Sequence, residues 1–172
     1  MQSFLAILDR VIKEHRIIRE HMKLTGETVN DVEALINLRR SYSSWSQSAA
    51  ESLVEKQRQL EQTINLLNEG LNNHYSFEEA ALPPIFGELL MKALIYEHKR
   101  NREKIKEAKA VITGTKLEGA SRGELLAQKP QIQEVINNLC QMIEAHGARE
   151  ETILGMLKIA LEAEEAQPEP AP

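Results

Sequence analysis

An all-α fold, an antiparallel four-helix bundle built from two similar hairpins, is predicted by three features of this 172-residue chain. Glycine and proline are scarce, while Leu, Ile, Ala, Glu, Lys and Gln dominate, a composition that favours long helices over sheets. Apolar residues recur in alternating steps of four and three, the spacing of one helix face. Only three segments interrupt that pattern: "SYSSWSQS", Pro83-Pro84 and "TGTKLEGASRG".

The first helix is predicted over 3–40, with the stripe Phe4, Leu8, Val11, His15, Ile18, Met22, Thr25, Val29, Val32, Ile36. Gly26 weakens it locally but leaves the phase intact. The serine-rich run that follows breaks it, because serine side chains compete for the backbone. Helix two restarts near Ser48, with Glu51 three residues on as a capping box. Its stripe is Leu53, Gln57, Leu60, Ile64, Leu67, Leu71, His74, Glu78, Ala81, and Pro83-Pro84 ends it. Helix three covers 86–112, with Met91, Leu94, His98, Asn101, Ile105, Ala108 and Ile112 on one face. After a Gly- and Ser/Thr-rich loop and an extra turn at Glu124–Ala127, Pro130 is placed at the first position of helix four. That helix has the stripe Ile132, Ile136, Leu139, Ile143, His146, Glu150, Ile153, Leu157, Ala160. One domain is expected over 1–162, and 163–172 is read as a disordered Pro/Glu-rich tail.

Polar residues fall on these apolar stripes at six places: His15, His74, Glu78, His98, His146 and Glu150. Each helix thus carries one histidine on its core face, and only His21 lies off-stripe, as a surface residue. The sequence around them repeats. "HYSFEEAAL" (74–82) and "HGAREETIL" (146–154) share His-x-x-x-Glu-Glu-x-x-Leu. "EHRIIRE" (14–20) and "EHKRNRE" (97–103) share Glu-His-basic-x-x-Arg-Glu. A hairpin used twice implies approximate two-fold symmetry. The distances from each histidine to its turn also agree within a hairpin to about one helical turn, so the paired imidazoles can meet at one level.

Six ionisable groups in a core must be satisfied, or they stay neutral at a cost to the fold. His and Glu at i, i+4 share a helix face. Two such pairs and two further histidines would therefore converge as four nitrogens and two carboxylates. That set suits two transition-metal ions, imidazoles as terminal ligands and carboxylates as bridges. Mixed N and O donors disfavour Mg²⁺ and Ca²⁺ and suit Fe, Mn or Zn. Two iron ions (Fe²⁺/Fe³⁺) are the first choice, with room for a bridging oxo or hydroxo group and an open position. The competing reading is a metal-free polar network in which each Glu accepts a hydrogen bond from its own-helix His. Glu79 and Glu151 are read as solvated carboxylates or as groups behind the ligands, able to substitute for them if a helix rotates slightly. Glu14 and Glu97 are read as ordinary exposed glutamates in preference to groups behind the ligands, and Tyr75 and Tyr96 as core packing in preference to redox chemistry.

The segments "EHRIIREH", "HYSFEEAALPPIF", "YEHKRNRE" and "HGAREETIL" resemble the hemerythrin-like, HHE-type cation-binding domain over essentially residues 5–160. The resemblance implies a four-helix bundle holding a non-haem di-iron centre that meets oxygen or related small molecules. It implies His15, His74, His98 and His146 as terminal ligands and Glu78 and Glu150 as bridges. The oxygen carriers of that family have His-x-x-x-His on helix three, where this chain has His98 and Arg102, and His-x-x-x-x-Asp on helix four, where it has His146 and Glu150. The four-His, two-Glu set is more similar to di-iron domains linked to iron–sulfur repair and nitric-oxide response.

The expected function is therefore binding, sensing or reduction of O₂, peroxide or NO. The alternatives are donation of iron to apoproteins such as iron–sulfur proteins, and a metal-free interaction bundle. No Ser-His-Asp set, phosphate-binding Gly loop or CxxC pair is evident, so any catalysis would run through metals. Net charge is −5 with dispersed basic residues, unlike a nucleic-acid binder. No apolar run matches a membrane span, and Cys140, the one cysteine, is read as a small apolar filler. With no disulfide to form, a reducing cytoplasm is expected. The first hairpin overshoots the second by about 15 Å, and its tip around Tyr42 and Trp45 is a candidate homodimer or partner contact.

Overall fold

The computed structural model describes residues 3–41, 47–115, 120 and 122–166. Four helices account for nearly all of them: α1 (Phe4–Ser41), α2 (Gln47–Ala81), α3 (Pro83–Gly114) and α4 (Arg122–Ala166). Each packs on two neighbours, in the closed order α1–α2–α3–α4–α1. Cross-helix bonds establish the antiparallel sense. Asp9 at the start of α1 meets Lys158 near the end of α4 at 2.6 Å, and Gln57 near the start of α2 donates to the Ile112 and Thr115 carbonyls at the end of α3.

Most described residues of the predicted stripes are buried, but Phe4 and Ala160 near the helix ends are exposed, and on α4 Leu154 takes the core position while Ile153 and Leu157 are half-buried. One apolar cluster contains Ile18, Leu60, Ile64, Leu67, Leu71, Ile105, Ile136 and Leu139. A second contains Leu8, Val11, Leu82, Phe86, Leu94 and Leu154. Between the two lies the polar layer of histidines and glutamates, so the site is closed above and below by packed hydrocarbon. Cys140 packs against the first cluster, as expected of a filler.

Some boundaries differ from expectation. The Pro83-Pro84 pair does separate α2 from α3, but the pair opens a helical turn rather than a loop. The amide of Leu82 still bonds the Glu78 carbonyl, and those of Ile85 and Phe86 bond the Leu82 carbonyl, each at 2.9 Å. A missing proline N–H is harmless in a first turn. Gly87 then breaks the turn at φ 69°, ψ 175°, a conformation essentially reserved for glycine, and the long run of α3 follows. Pro130 lies inside α4 rather than at its start, because α4 already begins at Arg122. A proline deletes one donor and crowds the carbonyl four residues back, which can bend a helix without ending it; the exposed position of Pro130 leaves room for its ring. Helix α4 also continues through 163–166, part of the expected tail, since Ala and Glu are strong helix formers. The remaining tail, the Ser48/Glu51 side chains, and Tyr42 and Trp45 lie outside the described residues.

Candidate metal centre

All six predicted residues are buried and meet at one level. They form two overlapping groups of four, His15–His74–Glu78–Glu150 and Glu78–His98–His146–Glu150, in each of which one donor atom per residue lies within 4.8 Å of the others. Glu78 and Glu150 belong to both. The Oε1 of Glu78 faces His74 Nε2 at 2.7 Å and His15 Nε2 at 3.7 Å, while its Oε2 faces His98 Nε2 at 3.1 Å. One carboxylate thus presents an oxygen to each group, as a bridge would. Glu150 Oε2 stands 3.5 Å from both His15 Nε2 and His146 Nε2.

Each imidazole is held from behind by a carboxylate of an adjacent helix. His74 Nδ1 bonds Glu14 at 2.9 Å, His98 Nδ1 bonds Glu79 at 2.9 Å, His146 Nδ1 bonds Glu97 at 2.7 Å, and His15 Nδ1 bonds Glu151 at 3.0 Å. The chain of contacts runs α1 to α2, α2 to α3, α3 to α4 and α4 to α1. An arginine backs every carboxylate: Arg10 on Glu14, Arg102 on Glu79, Arg149 on Glu97 and Arg19 on Glu151. Burial alone would raise these four carboxyls, but the arginine and imidazole hydrogen bonds outweigh it and hold all four below the usual range. A charged carboxylate can only accept, so Nδ1 carries the proton and, in the neutral ring, Nε2 turns a bare lone pair inward.

The inward-facing atoms make no well-aligned hydrogen bond, although Glu78 Oε1 lies only 2.7 Å from His74 Nε2. Among the buried atoms lacking a partner are all four Nε2 atoms and all four oxygens of Glu78 and Glu150. Elsewhere in such interiors polar groups are paired. Burial would lower the His15 imidazolium, but Glu150 and Glu78 beside it push it up to about 10. For Glu78 burial is likewise outweighed, by three imidazoles, and its carboxyl stays well below the usual range; Glu150 is raised by burial. The buried Glu78 carboxylate demands positive charge, burial raises Glu150 as long as none is near, and the donor set fits a cation. This His/Glu cluster could hold metal.

No protein-family model, curated protein or solved structure matches the chain. The geometry therefore carries the argument alone. It corrects four readings made from sequence. Glu14 and Glu97 are not ordinary exposed glutamates, because each receives an imidazole N–H. Tyr96 is exposed rather than core packing, since it lies off the His98 stripe. His21 is half-buried against Gly70, with Nδ1 unpartnered, because the small glycine lets α2 approach. The arginines behind the carboxylates were not singled out, although the repeated Arg19 and Arg102 positions were a visible signal. Tyr75 does pack in the core, fully buried. Among the described residues no helix is long and apolar enough to cross a membrane.

Proposed function

We propose that this chain is a non-haem di-iron protein of the hemerythrin-like, HHE type that binds, senses or reduces O₂ or a related small molecule such as peroxide or NO. One observation carries the reading: two four-donor groups share Glu78 and Glu150, and their inward donor atoms are unpartnered. His15 and His74 would hold one ion, His98 and His146 the other, and the two glutamates would bridge them. When bound, iron would supply one-electron redox chemistry and an open position for a small ligand. The chain's own contribution is to orient four imidazoles through their Nδ1 atoms, to hold the Glu78 carboxylate charged beside Glu150 in a dry layer, and to exclude bulk water with apolar clusters on both sides.

Manganese or zinc would suit the same donors, so metal analysis of freshly purified protein is the deciding measurement. About two iron atoms per chain are expected; a chain purified with zinc alone, or with no metal, contradicts the proposal. Ferrous protein exposed to air should develop near-ultraviolet ligand-to-iron absorption, and an unchanged spectrum would argue against oxygen chemistry. The ring of carboxylates and arginines favours a retained centre over an iron donor. Loss of iron to a weak chelator on oxidation would reverse that preference.

A further inference from the structure

The two hairpins repeat their roles position by position. Arg19 Nε bonds Glu144 on α4 at 3.1 Å, and its counterpart Arg102 Nε bonds Asn72 on α2 at 3.2 Å. The repetition fails directly beside the imidazoles. Tyr75 follows His74, but Gly147 follows His146; Asn101 lies three residues after His98, but Ile18 lies three after His15.

On the His98 side the space is filled. The Tyr75 ring stacks on His98 at 4.0 Å between centroids and 15° between planes, and Asn101 Nδ2 donates to its hydroxyl at 2.7 Å. On the equivalent His15 side there is a cavity of about 20 Å³, room for one water-sized molecule. Its apolar walls are Ile18, Met22, Leu71 and Ile143, with Tyr75 and Gly147 completing them. Buried His15, His74 and His146 form its inner end, and the partly exposed Arg19 and Glu144 lie at its outer end. A Cβ at Gly147 would find only Arg19 Nη2 at 3.8 Å and His15 Nδ1 at 4.0 Å.

We propose that this cavity is the binding pocket and entrance for the small molecule, open beside His15 and His74 and closed by Tyr75 beside His98, with Gly147 setting its size. The inference rests on the di-iron reading and names the ligand class more narrowly. The volume admits one small molecule not much larger than water. Hydrocarbon walls disfavour an ion, and Arg19 is already engaged by Glu144 and Glu151, so the ligand is uncharged. The alternative entrance is a larger groove between α3 and α4, where Leu90, Ala93 and Ile153 lead towards His146 and Glu150. There the Arg149–Glu97 ion pair, itself bonded to His146, stands across the approach.

Anaerobic ferrous protein mixed with nitric oxide in a stopped-flow instrument tests the choice. Gly147→Leu is expected to slow association at least about tenfold, because a packed wall leaves no slack. Gly147→Ala should fall between it and the wild type, and Ala93→Phe, which fills the α3–α4 groove, should have no effect. Gly147→Ala also serves if leucine prevents folding, since its Cβ has room. Unchanged rates in the Gly147 variants, or slowing by Ala93→Phe alone, would overturn the proposal. Wild-type protein that holds no iron or forms no NO complex would instead defeat the di-iron reading. Krypton-pressurised crystals of the protein as purified then test the pocket separately. Krypton between Ile18, Leu71 and Ile143, lost in Gly147→Leu, is the expected result, and its absence from the wild type would overturn the pocket.

Discussion

At the scale of single residues, the determining contacts are the four imidazole Nδ1 bonds to Glu14, Glu79, Glu97 and Glu151. They fix ring orientation and tautomer before any ion arrives, so the ligands lose little freedom on binding. Glu79→Ala or Glu151→Ala should therefore weaken metal binding by about 10–100-fold while leaving the helices intact. Chelator competition would measure the affinity, and circular dichroism the helix content. The same contacts set a pH dependence. The Glu79 carboxyl is held below its ordinary value of 4.5, despite burial, by bonds from His98 and Arg102. Its contribution to stability is complete above that value and is lost as pH falls through the depressed one. The stability gap between wild type and Glu79→Gln, measured by urea unfolding, should be full at neutral pH and close below pH 4.5.

At the scale of elements, helix identity was legible because the apolar period of 3.6 is written locally. Every stripe residue from Leu8 to Val32 that is apolar is buried along α1, and the same holds for Leu53 to Leu71 along α2. Helix ends were less legible. Pro130 looked like a start because an isolated proline favours a first turn, whereas the chain accepts it within α4. The α2–α3 corner depends on a residue that sequence reading passed over. Gly87, at φ 69°, lets the short turn after Pro83-Pro84 redirect into the long helix, so Gly87→Ala should destabilise the protein by about 1–3 kcal/mol. Chemical denaturation would measure the loss, and an unchanged midpoint would mean that the corner relaxes into another conformation.

At the scale of the whole molecule, the polar layer is a weakness of the fold unless a cation fills it. Six ionisable groups separate two apolar clusters that would otherwise be continuous. Chelation of the metal-loaded protein should lower its melting temperature by about 5–10 °C, the shift expected when about 2.7 kcal/mol of binding free energy is removed from a chain of this length. In His74→Ala combined with His146→Ala the same chelator should have little effect, since one imidazole is missing from each group. Differential scanning fluorimetry in the presence and absence of chelator would separate the two cases.

The helices, their arrangement as two like hairpins and the six inward donors follow from periodicity and an internal repeat, both of which are local properties of the chain. Which carboxylate stands behind which imidazole, how Glu78 turns one oxygen to each group, and why the space beside Gly147 is open while that beside His98 is filled emerge once the helices pack. Those outcomes depend on side chains from different helices meeting across the bundle. No spacing along a single helix encodes the distance to its neighbour.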